Sequence, residues 1–277
     1  MKYNHLVTPV LKWVGGKRQL MSEIKKYIPK FTTYYEPFVG GGAVLFELQP
    51  KKAVINDVNE ELINLYNVIK FNVEELIQDL KIHKNESGYF YNIRELDRDV
   101  ETYSTLTPVQ RASRVHYLNK TCYNGLFRVN SAGQFNTPFG NYKNPNITNE
   151  ITLRAVSNYF NEANITFLNV DFEEALRGIR KGSFVYFDPP YDPISDSSNF
   201  TGYAKGGFDR NEQIRLKKLC DKLDKQGVKF LLSNSATPFI KELYKEYKIE
   251  IIKAKRAINS QADKRGEIDE VLIRNYE

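Results

Sequence analysis

Tyr35-Glu36-Pro37-Phe38-Val39-Gly40-Gly41-Gly42-Ala43-Val44-Leu45-Phe46, followed by Ala53-Val54-Ile55-Asn56-Asp57, decides how the chain folds. An acid and an apolar pair run into three consecutive glycines, and a helix-like stretch opens behind them. Glycine lets the backbone turn tightly and approach a ligand closely, because no side chain intervenes. The spacing differs from the dinucleotide G-x-G-x-x-G pattern, so a nicotinamide cofactor is not the first choice. Taken alone, a glycine-rich turn is more often just a tight structural turn. The next strand changes the reading. Asp57 closes it about 20 residues beyond the glycines, the spacing at which an acid meets ribose hydroxyls. Glycine turn, helix and strand-end acid together predict the adenosine-binding half of a Rossmann-like sheet.

Outward from this stretch the two ends of the chain alternate strand-like and helix-like segments. Strands are expected over 34–37, 53–56, 165–169, 184–187, 228–233 and 270–275, and helices over 17–27, 42–48, 59–71 and 211–225. In the last helix Ile214, Leu219, Cys220 and Leu223 recur at helical spacing. Such alternation predicts an α/β fold with a mostly parallel, doubly wound sheet. Ligands in these sheets sit beyond the carboxyl ends of the strands. Glu36, Asp57, Asp171 and Asp188 all end or follow expected strands, so one crevice can hold all four. The middle third differs, with many aromatics, arginines and asparagines. Helices are expected over 73–83 and 108–120, and a hairpin within 123–136 turning at Ala132-Gly133. This organisation predicts a discontinuous catalytic domain, 1–72 and 159–277, interrupted by an inserted recognition domain over 73–158.

The apolar run Phe184-Val185-Tyr186-Phe187 stops at Asp188-Pro189-Pro190-Tyr191. The carboxylate accepts hydrogen bonds, and the prolines cannot continue a sheet ladder, so they hold a fixed turn with outward carbonyls. The tyrosine offers a flat face. Such a corner suits a planar ring bearing an amino group, such as adenine, although an Asp-Pro pair alone is ordinarily just a turn. Near the start, Leu11-Lys12-Trp13-Val14-Gly15-Gly16-Lys17-Arg18 sets lysines and the tryptophan around a glycine pair. A lysine there can meet a carboxylate or phosphate, against the usual fate of lysine as a solvated surface charge.

With these segments on the page, the chain resembles the Dam-type, GATC-specific (DpnII-like) DNA adenine methyltransferases. The similarity runs in order from Lys12 to Tyr276. It takes in Lys12 to Lys17, Glu36 to Gly42, Ile55-Asn56-Asp57, Tyr123 to Asn130, Phe135 to Lys143, Asp171-Phe172 and Asp188 to Tyr191. The resemblance implies a Rossmann-like S-adenosylmethionine-dependent methyltransferase sheet with an inserted helical and hairpin DNA-recognition domain. It implies Asp188, Pro189, Pro190 and Tyr191 as catalytic, with Trp13, Lys17, Glu36, Phe38, Gly40, Gly42, Asp57, Asp171, Phe172 and Asp188 around the cofactor. Lys17 is matched to the methionine carboxylate and Asp171 to the cofactor's amino group, while Asp171 equally suits a helix N-cap before Phe172. For duplex DNA it implies Lys12 and Tyr142 near the outer guanine, Tyr123 near the flipped base, Leu126 against a thymine methyl, and Arg128 on guanine, with Asn124 also in contact with DNA. By composition alone Tyr123 and Leu126 are more often hairpin core.

The remaining features bound the class. A formal charge of +6 and a pI near 9.0 favour a polyanionic partner without proving one. Cys122 and Cys220 are too few and too far apart for a disulfide framework or a zinc site, and His5, His83 and His116 form no ligand cluster, so no metal is expected. No secretory segment or membrane-length apolar run is read, which predicts a soluble, cytoplasmic protein. The late basic stretch, Lys253 to Arg256 and then Lys264-Arg265, reads as a solvated loop, with phosphate contact as the minority reading. The resemblance implies either the modification enzyme of a restriction-modification system, whose endonuclease would share the site without touching the protein, or an orphan Dam-like enzyme. RNA adenine or protein glutamine methyltransferases usually carry Asn where Asp188 stands, and a cytosine amino-methyltransferase more often Ser. An inactive DNA-binding module is the reading from another class, and Asp188, Tyr191, Asp57 and the glycine turn all speak against it.

Overall fold

The structure, a computed structural model, describes residues 2–13, 15, 17–194, 207–255 and 267–277. Seven strands form one sheet: β1 (Thr33–Glu36), β2 (Lys52–Asn56), β3 (Asn164–Leu168), β4 (Ser183–Phe187), β5 (Lys229–Ser235), β6 (Lys248–Lys255) and β7 (Glu267–Arg274). The helices are α1 (Met21–Lys26), α2 (Ala43–Leu48), α3 (Glu60–Phe71), α4 (Val73–Leu80), α5 (Ser87–Glu95), α6 (Val100–Ser104), α7 (Pro108–Thr121), α8 (Glu150–Glu162), α9 (Arg210–Lys225) and α10 (Pro238–Leu243). Strand order is β3-β2-β1-β4-β5-β7-β6. The first five strands of that order are parallel, and β7 inserts antiparallel between β5 and β6. The order reverses between β1 and β4, and a crevice opens at such a switch point beyond the carboxyl ends of the strands.

Every residue of β4 is buried, because helices cover both faces of the sheet. The pleat sends alternate side chains to opposite sides. Val185, Phe187, Phe230, Leu232, Val271 and Ile273 pack with Leu216, Leu219, Cys220 and Leu223 of α9 and Ile240 of α10. Phe184, Tyr186, Leu231 and Leu272 face the other side, where α1, α2, α3, α4, α7 and α8 contribute one continuous apolar cluster. The helices within 73–158 are part of that cluster through Leu76, Leu80, Phe90, Val115, Leu118 and Leu153, and residue 158 itself falls inside α8.

Local chemistry places the helix starts. Asn59 caps α3, Asp209 caps α9, and Thr107 with Gln110 forms a capping box at α7 with Pro108 in its first turn. Two expectations change. The helix expected over 17–27 is a 3-10 turn, Lys17–Gln19, followed by α1, because Gly15 takes φ +76° and the Lys17 ammonium folds back onto its carbonyl at 2.7 Å. Residues 253–255, read as loop, belong to β6, an edge strand whose Ile252 turns inward while Ile251 stays exposed. Arg256, Lys264 and Arg265 lie outside the described residues. Helices α5, α6, α8 and α10 are not in the sequence reading either. No helix among the described residues is long and apolar enough to cross a membrane.

One side chain clamps the carboxyl ends of three segments. Asn56, 1% exposed, donates to the Pro37 and Val170 carbonyls at 3.0 Å each and accepts from Val170 N–H at 3.0 Å. Asn56→Ala strands those buried groups, so we expect it to lower unfolding free energy by about 1–3 kcal/mol in urea titrations.

Candidate active site and nucleic-acid interface

The glycine turn leaves β1 and enters α2 with Gly40 at φ +47° and Gly42 at φ +69°, a region that favours glycine. Space is as restrictive as conformation. A Cβ at Gly40 would stand 2.7 Å from the Trp13 indole, and one at Gly41 2.8 Å from the Trp13 Cβ. The turn is fastened from β2: Asp57 Oδ2 accepts from Gly40 N–H at 2.9 Å, Oδ1 accepts from Asn59 N–H at 3.0 Å, and the Tyr66 hydroxyl donates to the Gly40 carbonyl at 2.7 Å. Burial raises the Asp57 carboxyl, and these amides oppose the shift. Glu36, 2% exposed at the end of β1, accepts from the Tyr34 hydroxyl at 2.8 Å. Burial pushes its carboxyl well above the ordinary range, with Asp188 adding to the shift.

Asp188 leaves β4 at the same end of the sheet as Glu36, because β4 and β1 are parallel neighbours. Its Oδ1 pairs with the buried Lys17 ammonium at 2.8 Å, and the same ammonium stands 4.7 Å over the Tyr191 ring centroid. Burial raises the Asp188 carboxyl and Lys17 opposes it. The resemblance matched Lys17 to a cofactor carboxylate; in the structure its donors serve Asp188 and Gly15. Behind the turn, Gln213 donates to the Pro190 carbonyl at 2.8 Å and accepts from Asn234 at 3.1 Å. The fully buried Asp192 side chain accepts from Thr237 at 2.7 Å and Arg210 at 3.0 Å. The turn is therefore held from its far side, and its carboxylate and ring are presented forward.

Asp171 and Phe172 follow β3 on the other flank of the crevice. Asp171 accepts from Glu173 N–H at 2.9 Å, the contact of a cap, and pairs with Arg215 of α9. Arg215 also pairs with Glu173, and with Glu212 at 2.7 Å, and its guanidinium lies 4.3 Å over the buried Phe172 ring. Phe38 packs against Phe172 at 5.3 Å and Phe208 at 5.6 Å between ring centroids, forming an aromatic wall.

The middle segment reaches the crevice through Lys12 and Trp13. Buried Asn119 of α7 accepts from Lys12 N–H at 2.9 Å and donates to the carbonyls of Lys12 (2.8 Å) and Gly125 (3.1 Å). Trp13 stacks on Phe127 at 4.9 Å. The hairpin closes where expected, with Val129 bridged to Phe135 and a Gly133 to Asn130 backbone bond at the turn. Arg128 points across it and donates from Nε to Asn136 Oδ1 at 2.7 Å. Tyr123 and Asn124 are exposed on a 3-10 turn in which Asn124 takes φ +56°. Leu126 is half-buried, and the Lys12 ammonium sits 5.5 Å over the Tyr142 ring. Asp97 ties the hairpin to α7, accepting from Phe135 N–H at 2.8 Å while paired with buried Arg114 at 2.8 Å. Among the described residues no group of His, Cys, Asp and Glu could hold a metal ion.

Residues 13–258 match the D12 class of N6 adenine-specific DNA methyltransferases. The chain belongs to that family. It is 45% identical to the Type II methyltransferase M1.LlaDCHI of Lactococcus lactis subsp. cremoris, over 97% of this chain and 95% of that protein. It is 43% identical to the Type II methyltransferase M.MjaIII of Methanocaldococcus jannaschii, covering 98% and 99%. It is 34% identical to the DNA adenine methylase of Escherichia coli K12, covering 95% and 93%. The seven-strand sheet is the α/β methyltransferase fold expected from the sequence, and the family's reaction is methylation of DNA adenine.

Sequence reasoning missed Arg215, Gln213, Asn234, Asn119, Asp97 and Glu270. Arg215 and Gln213 sit in a helix read only for its apolar stripe, and no local pattern shows that they reach back to a loop. Glu36 supplies a check on the buried crevice. Its folded carboxyl is raised, so the stability it contributes is present below its unfolded value and is lost as pH rises through the folded value. Glu36→Gln keeps an acceptor for Tyr34 without the charge. We expect a melting temperature above wild type at pH 8, with the gap closing below pH ~4; an equal gap at both pH values would refute the buried-acid assignment.

Proposed function

We propose that this enzyme transfers the methyl group of S-adenosylmethionine to the exocyclic amine of adenine within GATC in duplex DNA. The observation that carries the reading is the position of the Asp188 turn and the glycine turn at the carboxyl ends of the neighbouring strands β4 and β1. When bound, S-adenosylmethionine supplies a methyl group on positively charged sulfur. The residues present fit it: the glycine turn fastened by Asp57, the crevice acids at the strand ends, and the aromatic wall of Phe38 and Phe172 for an adenine ring. Asp171 serves that ring from its capped position, and Trp13 holds the turn from the other side.

The adenine amine is a poor nucleophile because its lone pair is delocalised into the ring. The Asp188 carboxylate and Pro189 carbonyl accept hydrogen bonds from its two N–H groups, localise that pair and stabilise the developing positive charge, and the amine gives up one proton as the new N–C bond forms. This is electrostatic preorganisation with positioning. Tyr191 stacks on the ring, and the base leaves the duplex to reach it, at a cost of about a few kcal/mol. A cation already makes both contacts. The Lys17 ammonium lies against Asp188 and over Tyr191, so the site selects a hydrogen-bond donor next to an aromatic face. The arriving amine takes over those contacts.

Base reading falls to the hairpin. Arg128 is fixed by Asn136 before DNA arrives and suits a bidentate contact to guanine. Leu126 faces a thymine methyl, Tyr123 and Asn124 meet the flipped base's neighbours, and Lys12 with Tyr142 meets the outer guanine. The folded segment 73–158 serves as the recognition domain, inserted between the two parts of the catalytic domain, 1–72 and 159–277. The relatives named Type II methyltransferases support a modification role opposite a restriction endonuclease of the same site, and those named DNA adenine methylase support an unpaired one.

Tritiated methyl transfer to GATC-containing and GATC-lacking duplexes tests the reading. Incorporation is expected only into the first; none into either removes the activity, and equal incorporation removes the site. Asp188→Ala should lower kcat by about 10²–10³-fold with cofactor binding retained. Arg128→Ala should cost about 1–3 kcal/mol of discrimination between GATC and single-base variants; a uniform loss of affinity for all duplexes would make it a phosphate contact instead.

A further inference from the structure

Tyr191 carries the flat face of the catalytic corner, yet its hydroxyl reaches away from that corner. It donates to Glu270 Oε2 at 2.8 Å, a contact across 79 residues of sequence. Glu270 lies on β7, opposite Ser235 of β5 and Ile252 of β6, so the sheet itself fixes its backbone. The ring is thus held from two directions. The Lys17 ammonium stands over the ring, and Glu270 takes the hydroxyl at the edge. Lys17 is the contact that the arriving base displaces. Glu270 is the contact that remains, because the hydroxyl lies in the ring plane and away from both stacking faces.

A phenol ring free to turn about its side-chain torsions presents many orientations, and stacking wants one. A charge-assisted hydrogen bond from a strand removes that freedom without touching the stacked face. The contact is also secluded. Burial, followed by the charges of Asp188 and Glu270, pushes the Tyr191 phenol well above its ordinary range, so it stays a hydrogen-bond donor at working pH.

We infer that Glu270 is a positioning residue of the methyl-transfer site, which fixes the plane of Tyr191 so that the extruded adenine stacks with its amine at Asp188. The inference rests on the function proposed above, because it presumes that Tyr191 stacks on the target base.

The test combines Glu270→Leu, which removes the acceptor, Glu270→Gln, which keeps an acceptor without charge, and Tyr191→Phe, which keeps the ring and removes the donor. Single-turnover rates and KM values are measured on GATC duplexes, with cofactor affinity measured separately. In parallel, 2-aminopurine replaces the target adenine, since its fluorescence rises on leaving the duplex and falls on stacking. We expect Glu270→Leu and Tyr191→Phe each to lower the rate roughly ten- to a hundred-fold with cofactor affinity unchanged. The double variant should be no slower than the slower single one, because both changes cut one contact. Bound 2-aminopurine should be brighter in both variants than in wild type, and Glu270→Gln should recover most of the rate. Multiplying effects in the double variant, or wild-type rate and fluorescence in Tyr191→Phe, would overturn the inference; Tyr191→Phe decides even if Glu270→Leu fails to fold. An inactive wild-type protein would instead sink the proposed function, leaving the two failures distinguishable.

Discussion

Parallel pairing of β1 with β4 is the constraint from which the rest follows. The two strands run side by side in the middle of the sheet, with all of β4 and three of the four residues of β1 buried between helical layers. Each ends on an acid, Glu36 and then Asp188, so the pairing forces two carboxyl groups toward one crevice with little water. That arrangement is costly, and burial drives both groups toward their neutral forms. The structure answers with one cation, Lys17, at Asp188, and with the Tyr34 hydroxyl at Glu36. A charge placed by the fold thus meets partners supplied by loops.

The loops in turn are held by polar side chains on the regular elements. Asn56 ties the ends of β1 and β3, Asp57 fastens the glycine turn, Gln213 of α9 holds the Pro190 carbonyl, and Asn119 of α7 holds the segment carrying Lys12. Each does for an irregular backbone what a sheet ladder does for a strand. It satisfies amides and carbonyls that would otherwise be buried without partners. This scaffolding lets the crevice groups sit on turns without the turns being loose.

The same logic links the crevice to the middle segment. The middle segment shares its apolar cluster with the sheet rather than forming a separate core, and Trp13 touches both Phe127 and the glycine turn. A change in the hairpin therefore bears on the crevice through a short run of packed residues.

Apolar periodicity, strand-end acids and the glycine run by themselves determined six of the seven described strands, the mostly parallel sense of the sheet, the hairpin turn at Ala132-Gly133 and the crevice acids, because burial of alternating residues and glycine's backbone freedom are local properties. The sequence pattern also put forward Asp188 to Tyr191 and Arg128 as candidate site residues. Tertiary structure alone decided who meets whom. Lys17 turned inward to Asp188, Arg215 closed over Phe172, Glu270 took the Tyr191 hydroxyl, and residues 253–255 became an edge strand. These outcomes depend on contacts between segments tens of residues apart. A side chain's charge and length are written in its identity, but the group it pairs with is set only when packing brings distant backbone together.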